Sequence, residues 1–150
     1  MLGFGFSYGG IFMNHLGCKR AGYVKAISIG DGSYGGNNTA CGRLPVLVTA
    51  RTQDMDEKIA GGRAAAATWK TFNGCTADMD VFDGPPSSPP SAGGTPAAMQ
   101  NCTTQRSCKA PGAVTFCEDT WFDPTWMTSW NHTVREPYRT FTYQWFNALP

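Results

Sequence analysis

The chain has 150 residues, 41% of them apolar and 13% aromatic, enough for one domain with a core of its own. Its net charge is +1 with only 15% charged residues, which excludes the basic stripe of a nucleic-acid binder and the polar composition of a disordered chain. No run approaches the roughly 18 apolar residues needed to span a membrane.

In chain order, Leu2–Phe6 reads as a short apolar strand, followed by the turn Gly5-Phe6-Ser7-Tyr8-Gly9-Gly10. Ile11–Leu16 follows as a helix ending near Gly17 and Cys18. Tyr23–Ile29 reads as a second strand, 30–42 as a glycine-rich loop, and Pro45–Ala50 as a continuous apolar strand of the kind a parallel sheet buries on both faces. A polar loop over Asp54–Lys58 leads to an alanine-rich helix, Arg63–Phe72, opened by Gly61-Gly62 and stopped at Asn73-Gly74. From Thr76 to Met99 the chain is rich in Pro, Gly, Ser and Ala, and is expected to form an extended surface excursion with no core element. Ala113–Cys117 is the last strand, Thr120–Thr133 a tryptophan-bearing loop, and Thr140–Leu149 a closing aromatic helix. This alternation predicts an α/β fold, a parallel sheet with flanking helices.

Ser7 is the candidate nucleophile. A G-x-S-x-G between a strand and a helix reverses the chain sharply and exposes the serine oxygen, with Gly5 and Gly9 avoiding clashes that a Cβ would create. The oxygen then lies near a helix N-terminus, where the Tyr8 amide is one candidate oxyanion donor. A base and an acid are needed next. The chain has two histidines. His15 falls about two turns into the following helix, roughly 12 Å along its axis, and reads as a packing or surface residue. His132, between the last strand and the last helix, is the candidate base. Asp54 follows the apolar strand Pro45–Ala50 and is the preferred acid, with Asp56 two residues on as the alternative. Trp121, Trp126 and Trp130 crowd the approach to His132 and are candidates for an aromatic substrate wall or for core packing alike.

Six cysteines, at 18, 41, 75, 102, 108 and 117, contain no CxxC pair. With two histidines in the chain, that pattern argues against a zinc site and for disulfides formed in an oxidising compartment. Sequons at Asn37, Asn101 and Asn131 agree with secretion. The chain opens without a signal peptide, which is read as a missing N-terminus.

Several segments resemble family 1 carbohydrate esterases, a group that includes fungal feruloyl esterases and polyhydroxybutyrate-depolymerase-like esterases. Gly5–Gly10 with Leu16-Gly17-Cys18 resembles their nucleophile segment, and Val24–Ser28 the strand after it. Pro45-Val46-Leu47-Val48 leading to Thr52-Gln53-Asp54 resembles the acid segment. Ala60-Gly61-Gly62-Arg63, Trp69 and Asn73-Gly74-Cys75 resemble the helix that follows. Cys102, Cys108 and Val114–Cys117 resemble the final cysteine-bearing strand. The resemblance implies an α/β-hydrolase-like fold with its N-terminal strands missing, so that these residues form a truncated domain of low activity. It implies Ser7 as nucleophile, Asp54 as acid, no cofactor, and an ester-bearing polysaccharide or small phenolic ester as substrate. Two places depart from the family's pattern. Ala50-Arg51 stands where that pattern has His-Gly, and Glu118-Asp119-Thr120-Trp121 where it has its histidine, which here comes later as His132. The alternatives are a polyhydroxyalkanoate depolymerase-type esterase and a non-catalytic carbohydrate-binding domain. Of the fifteen connectivities that six cysteines allow, Cys18–Cys41 is preferred, with Cys75–Cys108 and Cys102–Cys117 after it.

Overall fold

The computed structural model describes residues 1–36, 40–76, 80–82, 86–88, 97–120, 132, 134 and 136–149. Four strands run parallel, in the order β1 (Leu2–Phe6), β2 (Ala26–Gly30), β3 (Val46–Arg51) and β7 (Val114–Asp119). Beyond β7 the sheet continues antiparallel through β6 (Ala97–Gln105) to β4 (Asp80–Phe82), and β5 (Pro86–Ser88) pairs with β6. The helices are α1 (Tyr8–Arg20), α2 (Ile59–Asn73) and α3 (Glu136–Asn147).

The burial of each strand follows from its place. Every residue of β2 and β3 is buried, as the continuous apolar runs require of central parallel strands. The outer strand β1 alternates instead, burying Gly3 and Gly5 and exposing Leu2 and Phe4. Alternation along β3 sends Val46, Val48 and Ala50 into one core with Met13 of α1 and Ala65, Ala66 and Trp69 of α2. Leu47 points the other way, into a second core with Met99, Tyr138 and Phe141. The result is an α/β fold with α1 and α2 on one face of the sheet and α3 on the other.

One buried polar residue ties the first layer together. The Asn14 side chain, in α1, accepts a hydrogen bond from Trp69 Nε1 (2.7 Å) and donates to the Gly10 and Ser33 carbonyls (3.3 and 3.1 Å). Replacing Asn14 with leucine strands the buried indole N–H of Trp69 without its acceptor. The expected cost is about 2–4 kcal/mol of stability, read as a lower urea midpoint with an unchanged m-value.

All three disulfides join the preferred pairs, Cys18–Cys41, Cys75–Cys108 and Cys102–Cys117, and no cysteine is free. They fasten the end of α1 to the loop after β2, the end of α2 to the segment after β6, and β6 to β7. Three disulfides fit an extracellular protein, and among the described residues no helix is long and apolar enough to cross a membrane.

The helices are longer than their sequence patterns suggest. α1 starts at Tyr8, and α2 takes Gly61 and Gly62 inside it, ending on Gly74 in a left-handed cap (φ 61°). The segment expected to lack any core element requires a correction. β4, β5 and the start of β6 lie within Thr76–Met99, and Met99 is fully buried, paired with Asp119. β6 is held by two-sided pairing and by the Cys102–Cys117 bridge, neither of which its weakly alternating sequence signals.

Candidate active site

The chemistry-bearing residues collect at the C-terminal ends of the parallel strands, where open α/β sheets present their binding crevice. Ser7 forms the junction between β1 and α1, with φ 55° and ψ −126°. A non-glycine residue rarely adopts a positive φ of this kind, and here the surroundings impose it. The Ser7 N–H donates to Gly30 O at the end of β2 (2.8 Å), and its carbonyl accepts the first helical bond from Ile11 (3.0 Å). Ser7 occupies the N-cap of α1, yet its side chain makes no capping hydrogen bond. A serine at that position ordinarily caps the helix, and here the hydroxyl is not spent on that bond. Tyr8 is the first helical residue, and its N–H has no acceptor within the helix. Its ring is 84% exposed.

The glycine argument holds at one flank and fails at the other. A Cβ on Gly5 would lie 2.0 Å from Gly9 O, and one on Gly10 would lie 3.1 Å from Gly30 O, whereas one on Gly9 would meet nothing within 4 Å. Close packing of α1 on β1 and β2 therefore rests on Gly5 and Gly10. Gly9 contributes its backbone, which Gly5 approaches.

Asp54 and His132, 78 residues apart, meet directly: His132 Nδ1 is hydrogen-bonded to Asp54 Oδ2. The other Asp54 oxygen accepts the amides of Asp56 (2.8 Å) and Glu57 (2.9 Å), which fixes the carboxylate's plane. The Asp54 side chain is fully buried, whereas Asp56 is exposed. Of the two candidate acids, Asp54 is the one that meets the histidine. Asp56 helps through its backbone. The imidazole lies on the ring of Phe6, centroids 4.9 Å apart, next to Ser7 in the chain. Among the described residues, no hydrogen bond joins Ser7 Oγ to His132. His15 lies on α1, partly buried. Trp121, Trp126 and Trp130 lie outside the described residues, as do the sequons at Asn37 and Asn131. Asn101 is exposed, its amide donating to Glu118 Oε2 (2.8 Å).

Behind this pair sits an ionic cluster that the sequence reasoning did not foresee. Arg51, 2% exposed, lies between Asp31 (Nη2–Oδ2 3.7 Å) and Asp119 (Nε–Oδ2 3.6 Å). The Arg51 amide also donates to Asp31 Oδ1 (2.6 Å). Burial pushes the Asp31 carboxyl up to about 6 against the lowering pull of Arg51, with Asp54 and Asp119 adding to the rise. Tyr138, on α3, shares hydrogen bonds with Ser28, and burial pushes its hydroxyl up to about 12. Phe6, Asp31, Thr49, Arg51, Asp119 and Tyr138 enclose a crevice with no room for a water molecule. Arg51 lies in the segment Ala50-Arg51 and Asp119 in the segment Glu118–Trp121, the two segments singled out in the sequence as unlike the resembling pattern. The structure makes Arg51 and Asp119 one ion pair.

Donor atoms of Asp31, Asp54 and His132 lie within 4.8 Å of one another. These donors already serve one another and the backbone: Asp54 holds His132 and two amides, and Asp31 holds Arg51. We assign no cation to them.

A cleft of about 740 Å³ lies elsewhere. Arg106, Ala113, Phe141, Trp145 and Leu149 line it at the N-terminal end of β7, away from Ser7 and Asp54. No protein-family model matches the chain, and no curated protein matches it.

Proposed function

We propose that the protein is a secreted serine carboxylic-ester hydrolase of the α/β-hydrolase kind, with Ser7 as nucleophile, His132 as base and Asp54 as acid. The observation that carries the reading is the Asp54–His132 pair beside a strand-to-helix serine whose hydroxyl is not spent on capping its helix. With Nδ1 donating to Asp54, Nε2 is the ring nitrogen left to accept a proton.

Ser7 Oγ attacks the ester carbonyl carbon while its proton passes to His132 Nε2. The Tyr8 N–H, at the positive end of α1, faces the negative charge that develops on the carbonyl oxygen. Asp54 steadies the imidazolium. The tetrahedral intermediate then collapses, the C–O bond to the alcohol breaks, and His132 returns the proton to the departing oxygen. Water attacks the acyl-Ser7 ester with His132 again taking a proton, and the acid leaves as Ser7 regains its hydrogen. The resemblance to family 1 carbohydrate esterases supports a feruloyl or acetyl ester on plant cell-wall polysaccharide as substrate.

A fluorophosphonate probe tests the reading directly. The protein is expected to take up one equivalent on Ser7, located by peptide mass spectrometry, and the Ser7→Ala variant none. Rates on methyl ferulate, p-nitrophenyl acetate and a hydroxybutyrate oligomer then rank the acyl groups. Absence of labelling in a folded protein whose Asp54–His132 contact is intact rejects the reading.

A further inference from the structure

The reaction just described uses the buried carboxylate of Asp54 and leaves those of Asp31 and Asp119 without a role. Asp31 stands immediately after β2 with φ 41°, again a left-handed conformation, and among the described residues its hydrogen bonds and ion pair are to β3. Its N–H donates to Thr49 O (2.9 Å), and its carboxylate takes the Arg51 amide (2.6 Å) and pairs with the Arg51 guanidinium (3.7 Å). Three residues beyond Arg51 the chain reaches Asp54. One Asp31 oxygen also lies within 4.8 Å of donor atoms on both Asp54 and His132.

We propose that Asp31 is a positioning residue for His132, clamping the end of β3 from which the Asp54 loop departs and facing the imidazole as a second buried carboxylate that favours its protonated form. The inference rests on the serine-esterase reading.

The charges around Asp31 give the sign. Arg51 from β3, Asp54 from the loop after it, Asp119 from β7 and Tyr138 from α3 are the groups that act on it. Tyr138 stays neutral in the working range. The three carboxylates outnumber the one guanidinium, so the positive charge that reaches His132 when Ser7 gives up its proton enters a negative field. An opposite charge within this distance stabilises the charged form. Burial places the Asp31 carboxyl at about 6, so this second negative charge is present at neutral pH and is lost as the pH falls through that value. The acid side of the pH–rate profile then includes the loss of the Asp31 charge.

The test is the pH dependence of kcat/KM on p-nitrophenyl acetate for the wild type and Asp31→Asn. Asparagine keeps an acceptor for the Arg51 amide and removes the charge. The acid limb is expected to move to lower pH by about one unit and to simplify to one proton, because the imidazolium has lost a stabilising neighbour. The plateau kcat is expected to fall about tenfold, as the same imidazolium forms in the transition state. A fall in kcat with an unmoved acid limb, or an unchanged enzyme, overturns the proposal. If Asp31→Asn does not fold, the wild type still decides. In an NMR titration the His132 ring signals are expected to carry a second inflection matching that of the Asp31 carboxyl carbon, and a single step independent of Asp31 overturns the proposal. This titration needs no turnover, so a coupled His132 in a chain that fails to label at Ser7 would locate the error in the esterase reading alone.

Discussion

Replacing His132 with alanine is expected to lower kcat for ester hydrolysis by roughly four to six orders of magnitude while leaving KM within a few-fold. In the proposed mechanism the imidazole takes the Ser7 proton and returns it to the leaving alcohol, and both transfers belong to the transition state and not to binding. Asp54→Asn is expected to cost roughly 10⁴-fold for a more specific reason. The amides of Asp56 and Glu57 hold the carboxylate through Oδ1, and an asparagine oxygen can keep those bonds. Its NH₂ would then face His132 Nδ1 and force the ring's proton onto Nε2, where a base needs a lone pair. The two variants should therefore differ in kind. His132→Ala loses fluorophosphonate labelling at every pH, whereas Asp54→Asn retains a folded site with a slow labelling rate that rises at high pH. Steady-state rates and labelling kinetics on proteins matched by thermal unfolding check both. A His132→Ala enzyme within tenfold of the wild type would remove the triad from consideration.

What the sequence made legible, and what it did not, divides along the range of the interactions. The Ser7 turn was readable because its determinants are local, a short strand, a helix and the glycines between them. β2 and β3 were readable because central parallel strands must be apolar throughout, and their observed burial is complete. The choice between Asp54 and Asp56 was not local. Both follow the same strand, and only the path of the chain to His132, 78 residues on, separates the buried carboxylate from the exposed one. β6 was hidden because Ala97–Gln105 has neither strong alternation nor an apolar run, and it owes its place to β7, β4 and a disulfide. The ionic cluster was hidden for a similar reason. Arg51 at the end of an apolar strand and Asp119 at the end of another look like ordinary strand termini until β3 and β7 pair in register, Arg51 opposite Asp119. A buried arginine without carboxylates beside it would be strongly destabilising. That requirement links Arg51 and Asp119, two charged residues which, read singly along the chain, had no explanation.

The glycine motif yields the second large effect, through a contrast between two positions that a pattern treats alike. Gly5→Ala is expected to destabilise the protein by about 3 kcal/mol or more, at the upper end of what overpacking costs. The added methyl would sit 2.0 Å from Gly9 O, 2.3 Å from Gly9 C and 2.7 Å from Met13 Cγ. Met13 is a side chain and can move, but the Gly9 carbonyl is the backbone of α1 and cannot. Relief requires the first turn of the helix to lift from β1. That shift carries Ser7 and the Tyr8 N–H with it, and a displacement of about 1 Å at a reacting centre costs on the order of 10²-fold in rate. Gly9→Ala places its methyl where no atom lies within 4 Å. In a helix, alanine is favoured over glycine by up to about 1 kcal/mol, so this variant is expected to be as stable as the wild type or slightly more so. Urea midpoints and kcat/KM measured side by side for the two variants decide the matter. Equal losses at both positions would mean that the motif constrains the backbone conformation of each glycine, and that the contact between Gly5 and the Gly9 carbonyl does not set the position of the nucleophile.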